Sequence, residues 1–306
     1  MTTEKYDISN ESIKKVSQLL KSGKIVAFPT ETVYGLGANL FDDLACSNVF
    51  RAKNRPMDFP LSAHISDLNQ VSDLCMDVPE DFYKLAKVFL PGPLTIIMKA
   101  KPSVSDIITC GKKTIAIRVP DDEVFISLSK EFGAPIAATS ANISGKPSPI
   151  NHEQVIEDID GRIDAVICAG ECKLKLDSTV ISLAEGKYEI LRPGLVTKRM
   201  LEGAIGKEFV YLNSELTERN REIIWCNDVA VAENINIQDS CMVIYGNYSI
   251  QSRANVFAID NQNIFDILRT SDKFNKIYFL IDESINENIA LKHRIEKYFG
   301  QIGLQK

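Results

Sequence analysis

From residue 12 to about 206 the apolar residues return by turns at helical and at strand spacing. Ile13, Val16, Leu19 and Leu20 repeat at the helical interval, with Gly23 where a helix C-cap belongs. Ile25 to Phe28 then reads as a buried strand stopped by Pro29. Phe82, Leu85, Ala86 and Phe89 form a second amphipathic face, opened by Pro79 and closed by Pro91-Gly92, and Leu94 to Met98 follows as a strand. Further strands are predicted over Pro135 to Thr139, Ala165 to Cys168, Thr179 to Leu183 and Glu189 to Leu191, with a helix over Lys198 to Ile205.

Two segments have a clean period of two. In Leu61-Ser62-Ala63-His64-Ile65-Ser66 the alternation puts His64 on one face with Ser62 and Ser66. In Thr114-Ile115-Ala116-Ile117-Arg118-Val119 it puts Thr114 and Arg118 opposite the three branched residues. Polar groups are therefore expected on one side of strands whose other side is core. Long helical crossovers mixed with short turns predict an α/β fold whose sheet has parallel and antiparallel pairs. This unit is expected over residues 1–206, and weak periodicity marks 207–219 as a linker. Residues 220–306 repeat the alternation on a smaller scale: Cys241 to Tyr245, a helix over Gln262 to Thr270, Lys276 to Ile281, and a last helix over Glu287 to Phe299.

Composition narrows the setting. The 306 residues are 45% hydrophobic and 25% charged, a globular profile long enough for two domains. The 35 Lys and Arg against 41 Asp and Glu give a net charge of −6, so an anionic ligand has to be held by a local pocket of cations. Seven cysteines without a CxxC pair give no zinc motif and are expected to be free thiols. A polar, acidic N-terminus and the lack of an apolar run of ~18 residues predict a cytoplasmic protein without a membrane span.

The familiar chemical signatures are missing: there is no GxxxxGK[ST], HExxH or GxSxG, and Gly35-Leu36-Gly37 lacks a third glycine. That pair suits a turn needing positive φ. Five other stretches combine hydroxyls, tight turns and cations beside strands: 29–37 (PTETVYGLG), 53–64 (KNRPMDFPLSAH), 114–118, 138–148 (ATSANISGKPS) and 177–194, with DSTV and RPG. Ligands of open α/β sheets bind beyond strand ends, which makes clustering of these stretches the expectation. Lys53, Arg55, Arg118 and Arg192 with loop amides suit a ligand bearing several anionic groups.

In this order PTETVYGLG, Lys-x-Arg-Pro leading to Pro-Leu-x-x-His, PGPLT, IAIRVP, TSAN-x-SG-x-PS, DSTV and LRPG resemble the YrdC/Sua5 family of threonylcarbamoyl-AMP synthases, over about two hundred residues. Residues 264–269 (IFDILR) are similar, more weakly, to the C-terminal domain of the longer Sua5 type. The resemblance implies a YrdC-like twisted mixed sheet with a concave cleft, followed by a smaller, divergent Rossmann-like α/β domain. It also implies a nucleotidyltransferase reaction: L-threonine, bicarbonate and ATP give threonylcarbamoyl-AMP and pyrophosphate. The product feeds a downstream transferase that makes N6-threonylcarbamoyladenosine at position 37 of tRNA. Magnesium is expected with ATP, and no protein-built metal site.

Carried over by position, the resemblance assigns Thr32, His64, Arg118, the backbone at Ala138, and Ser178 to threonine. Lys53, Arg55, Thr114, Ser140, Asn142, Ser148 and Arg192 go to ATP, with Lys53, Arg55 and Arg118 the cations nearest the chemistry. Phe59 stands where the family usually has an ATP-contacting Asn and offers no side-chain hydrogen bond, so nucleotide affinity or choice is expected to differ. A linker of the Pro-Gly-Met-Lys-Tyr-Arg-His-Tyr type, which covers the active site in the longer relatives, has no counterpart between Leu195 and Cys241. Two other readings stay open. Similar domains make carbamoyl-adenylate from carbamoyl phosphate, usually beside acyl-phosphatase, zinc-finger or Kae1-like domains, and none of these is visible. A non-catalytic double-stranded RNA-binding module would want a positive face, against which the net charge counts; weak RNA affinity beside catalysis is a lesser expectation.

Overall fold

The computed structural model describes residues 2–212, 222–226, 240–246, 256–271, 274 and 276–299. The chain divides into two units, Met1–Leu212 and Asn213–Lys306. In the first, the elements run β1 (Glu4–Asp7), α1 (Asn10–Lys21), β2 (Val26–Phe28), β3 (Gly35–Asn39), α2 (Asp43–Lys53), β4 (Ser62–His64), α3 (Val71–Leu74), α4 (Glu80–Phe89), β5 (Leu94–Lys99), α5 (Asp106–Thr109), β6 (Thr114–Arg118), α6 (Glu123–Phe132), β7 (Ile136–Ser140), α7 (His152–Ile159), β8 (Ala165–Cys168), β9 (Thr179–Ser182), β10 (Glu189–Arg192), α8 (Lys198–Ile205) and β11 (Val210–Tyr211). All eleven strands join one mixed sheet, in the order β1-β8-β2-β3-β7-β4-β6-β5-β9-β10-β11.

Helix ends are set by short polar residues. Ser9 accepts the Ser12 N–H at the start of α1, and Asp122 accepts two N–H groups at the start of α6. Asn54 takes the left-handed conformation (φ 50°) and stops α2 just after Lys53.

The two faces of the sheet are covered unequally. One carries Leu36, Ala38, Ala63, Ile96, Met98, Ile115, Ile117, Ala137, Val166, Ile181 and Ile190, all within the larger core. On the other face, Val26, Phe28, Ile136, Ala138, Ala165 and Ile167 form a smaller core with apolar residues of α1 and α6. That cover spans β8, β2 and β7, and neither core takes in the alternate residues of β4, β5 and β6, which include Ser62, His64, Thr95, Thr114 and Arg118. Cross-strand register lines several of them up. His64 lies opposite Arg118 and Ile136, Arg118 opposite Thr95, and Ser62 opposite Ala116 and Ala138.

Two expectations change. Gly35 and Gly37 are not turn residues; they lie in β3, and neither has a positive φ. Close approach is what requires them: a Cβ on Gly35 would meet the Phe28 ring at 2.7 Å, and one on Gly37 would meet Ile136 Cγ2 at 2.5 Å. The residues 207–212, expected in the linker, complete the first unit. Phe209 is fully buried with its ring 5.5 Å from that of Tyr188, and β11 pairs with β10. The rest of the expected linker, 213–219, lies outside the described residues.

The second unit has β12 (Glu222–Cys226), β13 (Ser240–Tyr245), β14 (Val256–Ala258), α9 (Ile264–Ser271), β15 (Lys276–Ile281) and α10 (Ile289–Phe299). Its four strands pair in parallel, in the order β12-β15-β13-β14. Near-continuous apolar runs such as Phe279, Leu280 and Ile281 are buried, as strands covered on both faces require. Among the described residues no helix is long and apolar enough to cross a membrane.

Gly37→Ala should cost about 1–3 kcal/mol of stability by overpacking against Ile136. A urea titration would show a lower midpoint at unchanged slope; an unchanged midpoint would mean that the strand gives way without cost.

Candidate active site

The loop after β2 folds back under the end of β6. Thr30 starts it: its hydroxyl donates to Val33 O at 2.6 Å and accepts the Val33 N–H at 3.2 Å. Glu31 and Thr32 are thereby held against Arg118, which is 5% exposed. The Nη2 of Arg118 donates to Glu31 Oε1 at 3.0 Å, to Thr30 Oγ1 at 3.4 Å and to Thr32 Oγ1. Glu31 is itself fixed, since Oε2 accepts the Asp121 N–H at 3.1 Å. The Nε of Arg118 is buried and has no hydrogen-bond partner.

His64, 3% exposed, pairs with Arg118 across the sheet, and its Nδ1, like the Nε of Arg118, has no hydrogen-bond partner among the described residues. Its ring meets those of Phe28 and Phe125 edge-on at 6.2 and 5.8 Å. Burial, and secondarily the Arg118 charge, push its pKa well below 6.5, so the imidazole is neutral. Two buried polar atoms on paired residues thus face the same side of the sheet without a side-chain or backbone partner among the described residues.

The DSTV and RPG motifs continue the line. Thr95, opposite Arg118, shares a 2.8 Å hydrogen bond with Ser178. Arg192 donates through Nε to Ser178 O and through Nη2 to Ser178 Oγ, each at 2.9 Å. Asp177 stands 3.9 Å from Arg192 Nη1 and accepts the Ser148 hydroxyl at 2.9 Å. Gly194 permits this fit, because a Cβ there would meet Thr179 N at 2.6 Å. Arg118, Ser178, Arg192 and Ser148 thus lie along one polar line, although 74 positions separate Arg118 from Arg192.

A second group surrounds Lys53. Its ammonium group, buried at the end of α2, donates to the carbonyls of Ser140 and Asn142. Ser140 Oγ donates to Asn142 Oδ1 at 2.6 Å, while Asn142 Nδ2 closes the loop on Ile143 O and Lys146 O, each at 2.8 Å. Tyr34 ties this loop to the first group, its N–H bonded to Pro149 O and its carbonyl to the Ala141 N–H.

Thr114 and Arg55 stay apart. Thr114 shares the Arg118 face but lies four residues away, about 13 Å along a strand. Arg55 is spent on its own loop: it donates to Phe59 O at 3.0 Å and Pro60 O at 3.3 Å, and its guanidinium lies 5.6 Å from the Phe59 ring centre. The Phe59 ring is 55% exposed. Ala138 stands opposite Ser62, whose hydroxyl donates to its carbonyl at 3.0 Å. Glu31, Thr30, Thr95 and Asp177 are the members that sequence reasoning missed. Alternation along β5 carried a signal for Thr95; the others sit inside recognised motifs with nothing local to show which way they point.

The Sua5/YciO/YrdC family model, described as "Telomere recombination", matches residues 18–194. The chain belongs to this family. It is 42% identical over 223 residues to a Bacillus subtilis protein named "Threonylcarbamoyl-AMP synthase", covering 72% of this chain and 64% of that one. A Pyrococcus abyssi protein of the same name is 44% identical over 200 residues, covering 65% of this chain and 59% of that one. These alignments therefore span about three fifths of the curated relatives. A crystal structure of P. abyssi Sua5 complexed with L-threonine matches with a TM-score of 0.86 and 32% identity, over 98% of each chain.

The neutral His64 predicts a pH dependence. Below about 6.5 the unfolded chain binds a proton at this residue that the folded protein refuses, so its contribution to stability is present above that pH and lost as pH falls. His64→Gln should flatten the fall in unfolding free energy between about pH 7 and pH 5. Identical slopes in denaturant titrations would contradict a buried neutral ring.

Proposed function

We propose that the protein is an L-threonylcarbamoyladenylate synthase, forming threonylcarbamoyl-AMP and pyrophosphate from L-threonine, bicarbonate and ATP. The observation that carries this reading is the juxtaposition of two buried polar groups, the Arg118 guanidinium and the neutral His64 ring, with the Thr32 hydroxyl bonded to Arg118. A fixed guanidinium suits a carboxylate, while a neutral ring and hydroxyls suit an amine and a side-chain hydroxyl. The Sua5 relative solved with L-threonine supports the same substrate class.

Bicarbonate and the threonine amine combine with loss of water to a carbamate. One carbamate oxygen then attacks the α-phosphorus of ATP, and pyrophosphate leaves with the electrons of the broken P–O bond. No enzyme nucleophile is needed; positioning and charge neutralisation supply the rate. In this reading Thr32, His64, Arg118, Ser178 and the Ala138 backbone hold threonine. Lys53, Arg55, Thr114, Ser140, Ser148 and Arg192 hold the nucleotide, with Asn142 shaping the loop. The hold of Ser178 on Nε and Nη2 of Arg192, with Asp177 3.9 Å from Nη1, supports a fixed guanidinium in this reading.

Among the described residues no three His, Cys, Asp or Glu side chains group to hold a metal ion. In this reading magnesium would enter on ATP, where it neutralises phosphate charge. Catalysis is assigned to the first unit and packing to the second, the divergent C-terminal domain. The product would pass to a tRNA-modifying threonylcarbamoyl transferase in the cytoplasm.

Pyrophosphate release from ATP should require both L-threonine and bicarbonate; equal release with either omitted would reject the reading. Arg192→Ala should lower kcat/KM about 10²- to 10³-fold, the usual loss for a preorganised donor to developing charge. Unchanged kinetics would make the motif purely structural.

A further inference from the structure

A second hollow, of about 390 Å³, opens where β2 begins and where the chain enters β8; Gly23, Lys24, Asn48, Arg51, Arg162 and Asp164 line it. That volume falls in the range of small-molecule sites, roughly 300–1,000 Å³. The cleft residues above follow the other end of β2, so the two sites are separate.

The charges in this hollow do not balance. Asp164 is already committed: it accepts the Ile25 N–H at 2.9 Å and pairs with Lys24 at 3.2 Å. Arg51 has only a 3.4 Å contact with the side-chain oxygen of Asn48, and Arg162 a 3.2 Å hydrogen bond to that of Asn54. Both acceptors are neutral, and among the described residues neither guanidinium pairs with a carboxylate. Arg51 and Arg162, both exposed, thus line one open hollow without a carboxylate partner among the described residues, in a chain of net charge −6. Paired guanidinium forks match phosphate oxygens, which they bind in bidentate fashion.

We propose that this hollow binds a phosphorylated small molecule, with its phosphate held between Arg51 and Arg162. The site is independent of the assignment of the cleft, and its test needs no turnover. The full chain is titrated calorimetrically with inorganic phosphate, pyrophosphate and AMP, and the series is repeated on Arg51→Gln, Arg162→Gln and, as a surface control outside both sites, Lys187→Gln. At least one ligand should bind saturably to a site that is at least about tenfold weaker in each of the first two variants and unchanged in Lys187→Gln. The three probes separate a free anion from a phosphate carried on an organic group. Glutamine keeps an amide donor for Asn48 or Asn54, and an unchanged far-UV spectrum and melting midpoint establish folding. Should Arg162→Gln fail to fold, the exposed Arg51 decides alone.

Saturable binding of every probe that is unchanged in both Arg51→Gln and Arg162→Gln would place the anion elsewhere, the cleft included, and overturn the proposal. So would the absence of saturable binding by all three probes. A short RNA stem-loop completes the set: RNA binding that needs Arg51 and Arg162, without small-anion binding, would reassign the pair to nucleic acid and overturn it as well.

Discussion

Burying a guanidinium is costly, and Arg118 is buried. After relaxation such an ion still costs several kcal/mol unless it is paired and hydrogen-bonded. Here Glu31 supplies the countercharge at 3.0 Å, and Thr30 and Thr32 supply hydroxyls. The pairing works only if the loop after β2 reaches beneath β6, and the Asp121 N–H on Glu31 holds it there. The result is a cation that cannot swing to solvent and has one N–H to spare. Replacing Glu31 would leave that charge unpaired in a buried place, the situation that destabilises most strongly.

That arrangement needs a sheet face that helices cover only in part. The larger core fills one side of the first unit, whereas α1 and α6 reach only part of the other. Along β4 and β6 the alternation therefore sends apolar residues into the core and His64, Thr114 and Arg118 to the other side, where Phe125 of α6 borders His64 and the loop after β2 covers Arg118. Gly35 and Gly37 serve the covered part, where Phe28 and Ile136 leave no room for a Cβ. Polar chemistry and packing are segregated by strand rather than by depth.

Strands with a period of two were legible from alternation alone: β6 has the predicted start and ends at Arg118, and the side assigned to His64 and Arg118 is the one they occupy. The helix over Lys198–Ile205 and the strand over Lys276–Ile281 also have the expected bounds. Elements without periodicity were illegible. β1 is a polar edge strand, Glu-Lys-Tyr-Asp, held only by β8, and β3 reads as a turn because its glycines are there for space rather than for φ. β11 is too short to show a pattern, and Phe209 before it gives no local sign that it packs against Tyr188. Within the site, residue types were legible and partners were not. Glu31 lies 87 positions from Arg118, and Ser148 lies 29 from Asp177. Contacts at that separation come from topology, which spacing does not encode.

The central claim is that the spare edge of Arg118 receives a carboxylate. Calorimetric titration of the intact protein with L-threonine and with L-threoninol, in which an uncharged primary alcohol replaces the carboxylate, tests it directly. A charge-assisted hydrogen bond of about 1.5–3 kcal/mol predicts that threoninol binds at least about tenfold more weakly. Equal affinity for the two would contradict the account.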